Sequence, residues 1–192
     1  MFRTCLAVLA VTALPVAGAL ADPISPSDDG DMMREIARGV WEGRDYVATA
    51  GTDGEALHLQ IKVGDTLVVD NPAISNFAPV EGASYALRAE ADGTLVLDIN
   101  ETDKGGTSKH QVFRIRGEAG DVRVTGFDLT IGWAGQAPDF VCTLDLVGGR
   151  ATIQSNGNDI PSPFTGAPPD QTTAQAWNAD TYWQIGGCVN PG

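Results

Sequence analysis

Few residues in this chain belong to types and spacings that carry chemistry. It has two histidines and three cysteines, with no Cys-x-x-Cys and no His-Glu-x-x-His, so the common zinc arrangements are excluded. Gly-x-Ser-x-Gly is also missing, which removes the strand–turn–helix serine nucleophile. Asp98–Gly105 has the acidic look of a calcium loop. It lacks glycine at its sixth position and lies between alternating segments where an EF-hand has helices, so a polar hairpin loop explains it. Asp28, Asp29 and Asp31 read as a solvated acidic stretch. Asn100-Glu101-Thr102 is a glycosylation sequon, relevant only in a eukaryotic source. No catalytic residue, metal or cofactor is expected.

His58 and His110 stand outside any visible constellation and read as surface residues. His110, Arg114 and Arg116 are separated by even numbers of residues, so in a strand they point the same way. Such a face suits an anionic ligand. Cross-strand pairing with the chain's own carboxylates is the favoured alternative.

Compartment follows from the cysteines and the amino terminus. Residues 1–21 carry one cation (Arg3), an apolar stretch and Ala19-Leu20-Ala21 before Asp22, the three parts of a secretory signal peptide. Its apolar run is too short to span a bilayer comfortably, so no transmembrane segment is expected after cleavage. Cleavage would remove Cys5 and leave Cys142 and Cys188, an even pair in an oxidising, periplasmic or extracellular, compartment, where a disulfide is expected. The formal charge of −13 and pI near 4.3 argue against nucleic acid or an anionic membrane as partner.

The elements that would position any site read mostly as strands. Residues 22–31 form a polar lead-in. Met33, Ile36, Ala37 and Val40 fall at helical spacing, which predicts one short helix over 32–40. From Arg44 the period is two. Gly64-Asp65 predicts a two-residue hairpin setting Ile61 opposite Val68, and Ala91-Asp92-Gly93 a three-residue loop setting Leu87 against Leu97. The apolar parity changes between Val124 and Phe127, which predicts a bulge at Gly126. Gly148-Gly149 would pair Leu144 with Ile153 and Leu146 with Ala151, and Tyr182–Ile185 would be a last strand. Residues 32–192 thus read as a single all-β domain: an up-and-down meander closed as a barrel of about 8–10 strands, with a two-sheet sandwich as second choice. The Pro-rich segment 156–180 interrupts the pattern.

Trp41 lies in Gly39-Val40-Trp41-Glu42-Gly43, just before the first regular strand. A Gly-x-Trp at the entrance of a β-meander resembles the signature of the lipocalin and wider calycin superfamily. That resemblance implies a barrel with tryptophan closing one end and a small apolar ligand inside. Trp41, Tyr85, Leu97, Phe113 and Phe127, at inward positions, would then line one cavity. The plainer reading makes Trp41 a core plug. Two functions follow. The first is a secreted, non-enzymatic binding module for a small, partly apolar ligand. The second is an accessory subunit or inhibitor of a secreted enzyme, docking through 156–180 with Phe164 and Trp177 exposed.

Overall fold

Residues that alternate between apolar and polar can bury one face only by pairing with neighbours and packing against a second layer. The described residues do this eleven times. The computed structural model describes residues 34–52, 54–77, 83–118 and 120–188. The signal-peptide and lead-in readings, and the start of the expected helix, lie outside them. Strands β1 (Arg34–Trp41), β2 (Arg44–Thr52), β3 (Ala56–Val63) and β4 (Thr66–Asn76) form one antiparallel sheet in sequential order. A second, seven-stranded sheet contains β5 (Ser84–Ala89), β6 (Leu95–Thr102), β7 (Thr107–Glu118), β8 (Asp121–Trp133), β9 (Phe140–Asp145), β10 (Arg150–Ser155) and β11 (Asn158–Ile160). The protein is all-β with two meander sheets. Among the described residues no ladder joins them into a closed barrel.

The expected helix over 32–40 is instead β1. Ala37 and Trp41 are buried while Val40 is 51% exposed, a period-two pattern that the helical spacing mimicked. Glu42-Gly43, both at positive φ, turns the chain straight back into β2. Pairing with β2 overrides local propensity in so short a segment. At the other end, Tyr182–Ile185 is not a strand: α1 (Thr181–Gln184) is a single helical turn. Asn156-Gly157, read as the start of a loop, is a two-residue turn with both φ positive, joining β10 to β11.

The hairpin registers follow the sequence with two slips. Leu87 faces Leu97, and Glu90 N–H bonds to Thr94 O at 2.8 Å across the three-residue loop, as expected. Gly64-Asp65 is a two-residue turn, but a register shift places Ile61 against Val69, leaving Val68 partly exposed. After β9 the turn takes four residues, so Leu144 pairs with Ala151 and Cys142 with Ile153. Leu146 leaves the ladder there and donates its N–H to Thr125 O at 3.1 Å. Val124 and Phe127 both face the core across a register shift, as the parity change required. The extra residue is Thr125, and Gly126 is not among the positive-φ residues.

Two seams separate the sheets. At one, β1 lies beside β5. The other is spanned by the Pro-rich segment, which contains a 3-10 turn (Pro169–Gln171) and then passes between β8 and β4. Val124 N–H donates to Thr172 O and Ala174 N–H to Val122 O, both at 2.8 Å. On the other side Asn71 Nδ2 donates to Ala174 O and Trp177 O at 2.7 Å each, and Gln175 bonds both backbone groups of Asp70. Phe164 and Trp177 are therefore buried, not exposed for docking. The segment is a strap between sheets, and its apolar side chains do the work of core residues.

Candidate functional site

The register stacks the inner face of the large sheet into rows. Leu97, Phe113, Phe127 and Leu144 form the central row across β6 to β9. Ile99, Gln111, Leu129 and Cys142 come next, then Glu101, Lys109, Ile131 and Phe140. Trp41 belongs to the opposite end, where it stacks on Tyr46 at 4.0 Å and donates Nε1–H to Gly93 O at 2.7 Å. Tyr46 donates its hydroxyl to the same carbonyl at 3.3 Å, and burial first, with Asp92 second, pushes its pKa up to about 12. Trp41 thus plugs one end, the plainer of the two readings.

The five expected ligand-lining residues are all buried, but in packed surroundings. Phe113 meets Phe127 and Trp177 edge-on at 5.0 and 6.1 Å between centroids, and Tyr85 meets Phe77 at 5.4 Å. Leu97 is enclosed between Leu87 and Phe113 in its row. Three clefts formed by described residues border none of Tyr85, Leu97, Phe113 or Phe127; one of the three touches Trp41 and measures about 40 Å³.

Beyond the packed rows, at the end remote from Trp41, lies an apolar cleft of about 230 Å³. Leu129, Ile131, Phe140, Tyr182, Trp183 and Cys188 line it. Three of these come from the inner parity of β8 and β9. The others arrive on α1 and the turn after it. Tyr182 stacks on Phe127 at 5.1 Å, and its pKa is raised by burial first and by the nearby charge of Asp180 second. The Cys142–Cys188 disulfide, with Cα atoms 5.6 Å apart, holds this turn against β9, as the even cysteine pair predicted. Trp183 is 53% exposed at the rim. Alternation around Leu129 and Ile131 made those residues legible as inward-facing. Tyr182 and Trp183 were missed because their aromatic content resembled a strand. Asn178 and Asp180 before them and Gly186-Gly187 after them are helix start and stop signals.

On the outer face of the same sheet His110 and Arg114 pair with cross-strand carboxylates, and Arg116 with a carboxylate of the β5–β6 loop. His110 Nε2 lies 2.9 Å from Asp98 Oδ1, Arg114 donates to Asp128 at 2.6 Å, and Arg116 approaches Asp92 at 3.5 Å. His58 likewise bonds Asp70 at 2.7 Å on the small sheet. The hydrogen bond to Asp98, then the charges of Asp98 and Asp128, raise the pKa of His110 above 6.5 against burial and Arg88. Stability from His110 is therefore complete below its ordinary pKa and is lost as pH rises through the raised value. Asp98, held below 3.8 mainly by His110, contributes above that pKa and loses its share as pH falls through the lowered one. His110→Gln is expected to cost up to about 1 kcal/mol near pH 5.5 and much less at pH 9, the pair being partly exposed. Urea midpoints equally lowered at both pH values would contradict this.

Among the described residues no group of three or more His, Cys, Asp or Glu is placed to hold a metal ion. No described helix is long and apolar enough to cross a membrane. Fold and site together define a disulfide-tied, two-sheet β-protein with one end plugged by tryptophan and an apolar cleft at the other. No family model, curated protein or solved structure matches the chain.

Proposed function

We propose that the chain is an exported, non-enzymatic binding module whose remote-end cleft takes a small, partly apolar ligand. The observation that carries this is the cleft itself: aliphatic Leu129 and Ile131, aromatic Phe140, Tyr182 and Trp183, and the bridged Cys188, with no charged side chain in the lining. Its volume of about 230 Å³ falls slightly below ordinary drug-sized pockets of about 300 Å³. The calycin-like reading places a tryptophan plug opposite the ligand entrance, and Trp41 stands at the end away from this cleft. The expected lining set moves accordingly, from the central row to the last two rows of β8 and β9. Export is supported by the disulfide and by the signal-like composition of residues 1–21.

Titration with the neutral fluorophore N-phenyl-1-naphthylamine tests the reading. One site is expected, and Trp183→Ala should weaken it about tenfold, equivalent to ~1.4 kcal/mol, while leaving the circular dichroism unchanged. Binding altered by Trp41→Ala but indifferent to Trp183→Ala would move the site to the plugged end and overturn the proposal. A second reading has its own observation. Trp133 and Trp183 are both about half exposed, and tryptophan dominates protein–protein hot spots, so an enzyme partner could seat at this end. No binding of the fluorophore, with a stable stoichiometric complex abolished by Trp183→Ala, would favour that alternative.

A further inference from the structure

The two ends of the large sheet differ in how their charges are paired. At the Trp41 end Arg116, Arg123 and Arg150 each face a carboxylate of that same end, Asp92, Asp121 and Asp145, whereas Asp139 and Asp180 at the cleft end form no ion pair among the described residues. The cleft end carries Glu101 near the finish of β6, Asp103 in the following turn, Asp139 directly before Phe140, and Asp180 directly before α1. Opposing them on that sheet end are Lys104 and Lys109, and the Lys109 ammonium lies 3.7 Å from Glu101. Asp139 is exposed, and its backbone lies beside two cleft residues: it directly precedes Phe140 and donates its N–H to Ile131 O at 2.9 Å. Asp180 makes no capping hydrogen bond with its side chain, so its carboxylate is not consumed by the helix it precedes.

The rim is aromatic as well as acidic. Tyr182 and Trp183 border the cleft. Trp133, two residues beyond Ile131 on β8 and so of the same parity, extends the aromatic surface past the β6–β7 turn, where its ring lies about 3.6 Å from a β-carbon built on Gly106. Aromatic faces attract cations through their quadrupole, and acidic groups beside an apolar wall repel carboxylates, sulfates and phosphates. The overall charge of −13 adds a long-range field of the same sign.

From these placements we infer that the cleft selects organic cations: an ammonium or other protonated nitrogen carried on a short apolar body, with the body against Leu129, Ile131 and Phe140 and the charge at the Tyr182–Trp183 rim near Asp139 and Asp180. This rests on the binding reading above and adds the sign of the ligand's charge. A fatty acid or an alkyl sulfate of the same length is the disfavoured ligand.

Three probes with one tail separate the two levels of the argument: octyltrimethylammonium, octyl glucoside and octyl sulfate, each below its micellar concentration, titrated calorimetrically against the full exported chain. At about 20 mM salt the cation is expected to bind about tenfold more tightly than the glucoside and the sulfate most weakly. At about 200 mM salt the gap should narrow, because exposed charges are screened. Asp139→Asn combined with Asp180→Asn should bring the cation's advantage below about threefold and leave the glucoside unchanged. Both carboxylates are surface groups, so folding is not at risk. Equal affinity for cation and glucoside, or preference for the sulfate, overturns the charge inference while leaving the cleft as a binding site. Binding of no probe, or binding of all three insensitive to Trp183→Ala, overturns the binding reading itself.

Discussion

Trp177→Ala is expected to lower the stability of the fold by about 3–5 kcal/mol, the range for truncating a buried large aromatic. The indole is 1% exposed and touches both Phe113 and Phe127, with ring centroids 6.1 and 5.7 Å away. Its backbone carbonyl accepts one of the two Asn71 hydrogen bonds that fasten the strap to β4. Loss of the ring would leave a cavity where the strap meets the central row, and a small domain has only about 5–15 kcal/mol in all. Trp177→Phe should cost much less. The buried indole N–H finds no acceptor among the described residues, so phenylalanine gives up area but also removes an unsatisfied donor. Urea unfolding with an unchanged slope checks both values. An alanine variant within 1 kcal/mol of the parent would show that the strap is not part of the core.

Replacing Cys142 and Cys188 together by serine is expected to cost about 4 kcal/mol, the chain-entropy value for closing a loop of this span. The bridge joins residues 46 apart and encloses β10, β11, the strap and α1. A second effect should accompany the first. Tyr182, Trp183 and Cys188 belong to the cleft wall, so freeing the turn after α1 takes away half of its lining. The neutral fluorophore should then bind at least about tenfold more weakly, even under conditions where the sheets remain folded. Reduction of the parent protein with dithiothreitol should reproduce both effects. Retained affinity in the reduced protein would mean that the strap and Tyr182, stacked on Phe127, hold the wall without the bridge.

Helical periodicity misled the reading of β1 for a physical reason. A nine-residue window with apolar groups at 33, 36, 37 and 40 satisfies a helical stripe, yet Ala37 within it and Trp41 just beyond it are also the residues a strand buries on one face. Which pattern wins depends on whether a partner strand is available, and β2, returned by Glu42-Gly43, provides it. The slip at Ile61 has a similar origin. Val68 and Val69 are equally apolar, so local sequence cannot choose between a regular ladder and a bulge. The structure buries Val69 and leaves Val68 outside.

The sequence by itself determined the all-β class and most of the strand order. Alternation marks one face of most strands, Gly-containing turns set Leu87 against Leu97, and the parity change at Val124–Phe127 demanded a bulge. The even cysteine pair implied the bridge, and the polar spacing on β7 pointed to the cross-strand pairs that His110 and Arg114 form; Arg116 pairs with the loop carboxylate Asp92 instead. Tertiary structure alone decided what these inward faces do. Period two says which side a residue faces but not whether the opposite layer reaches it. Phe113 and Phe127 are met by Trp177 and fill the interior. Ile131 and Phe140, of the same parity two rows further on, are half-buried and form the wall of a cleft with α1 and the turn after it. The strap was decided in the same way. A Pro-rich stretch with scattered Phe164 and Trp177 has the composition of a docking loop until β4 and β8 are brought close enough for its backbone to bond to both. Contacts between groups about a hundred residues apart, such as Asn71 with Ala174 and Trp177, leave no periodic trace in a single sequence, because each depends on where the other half of the chain has already been placed.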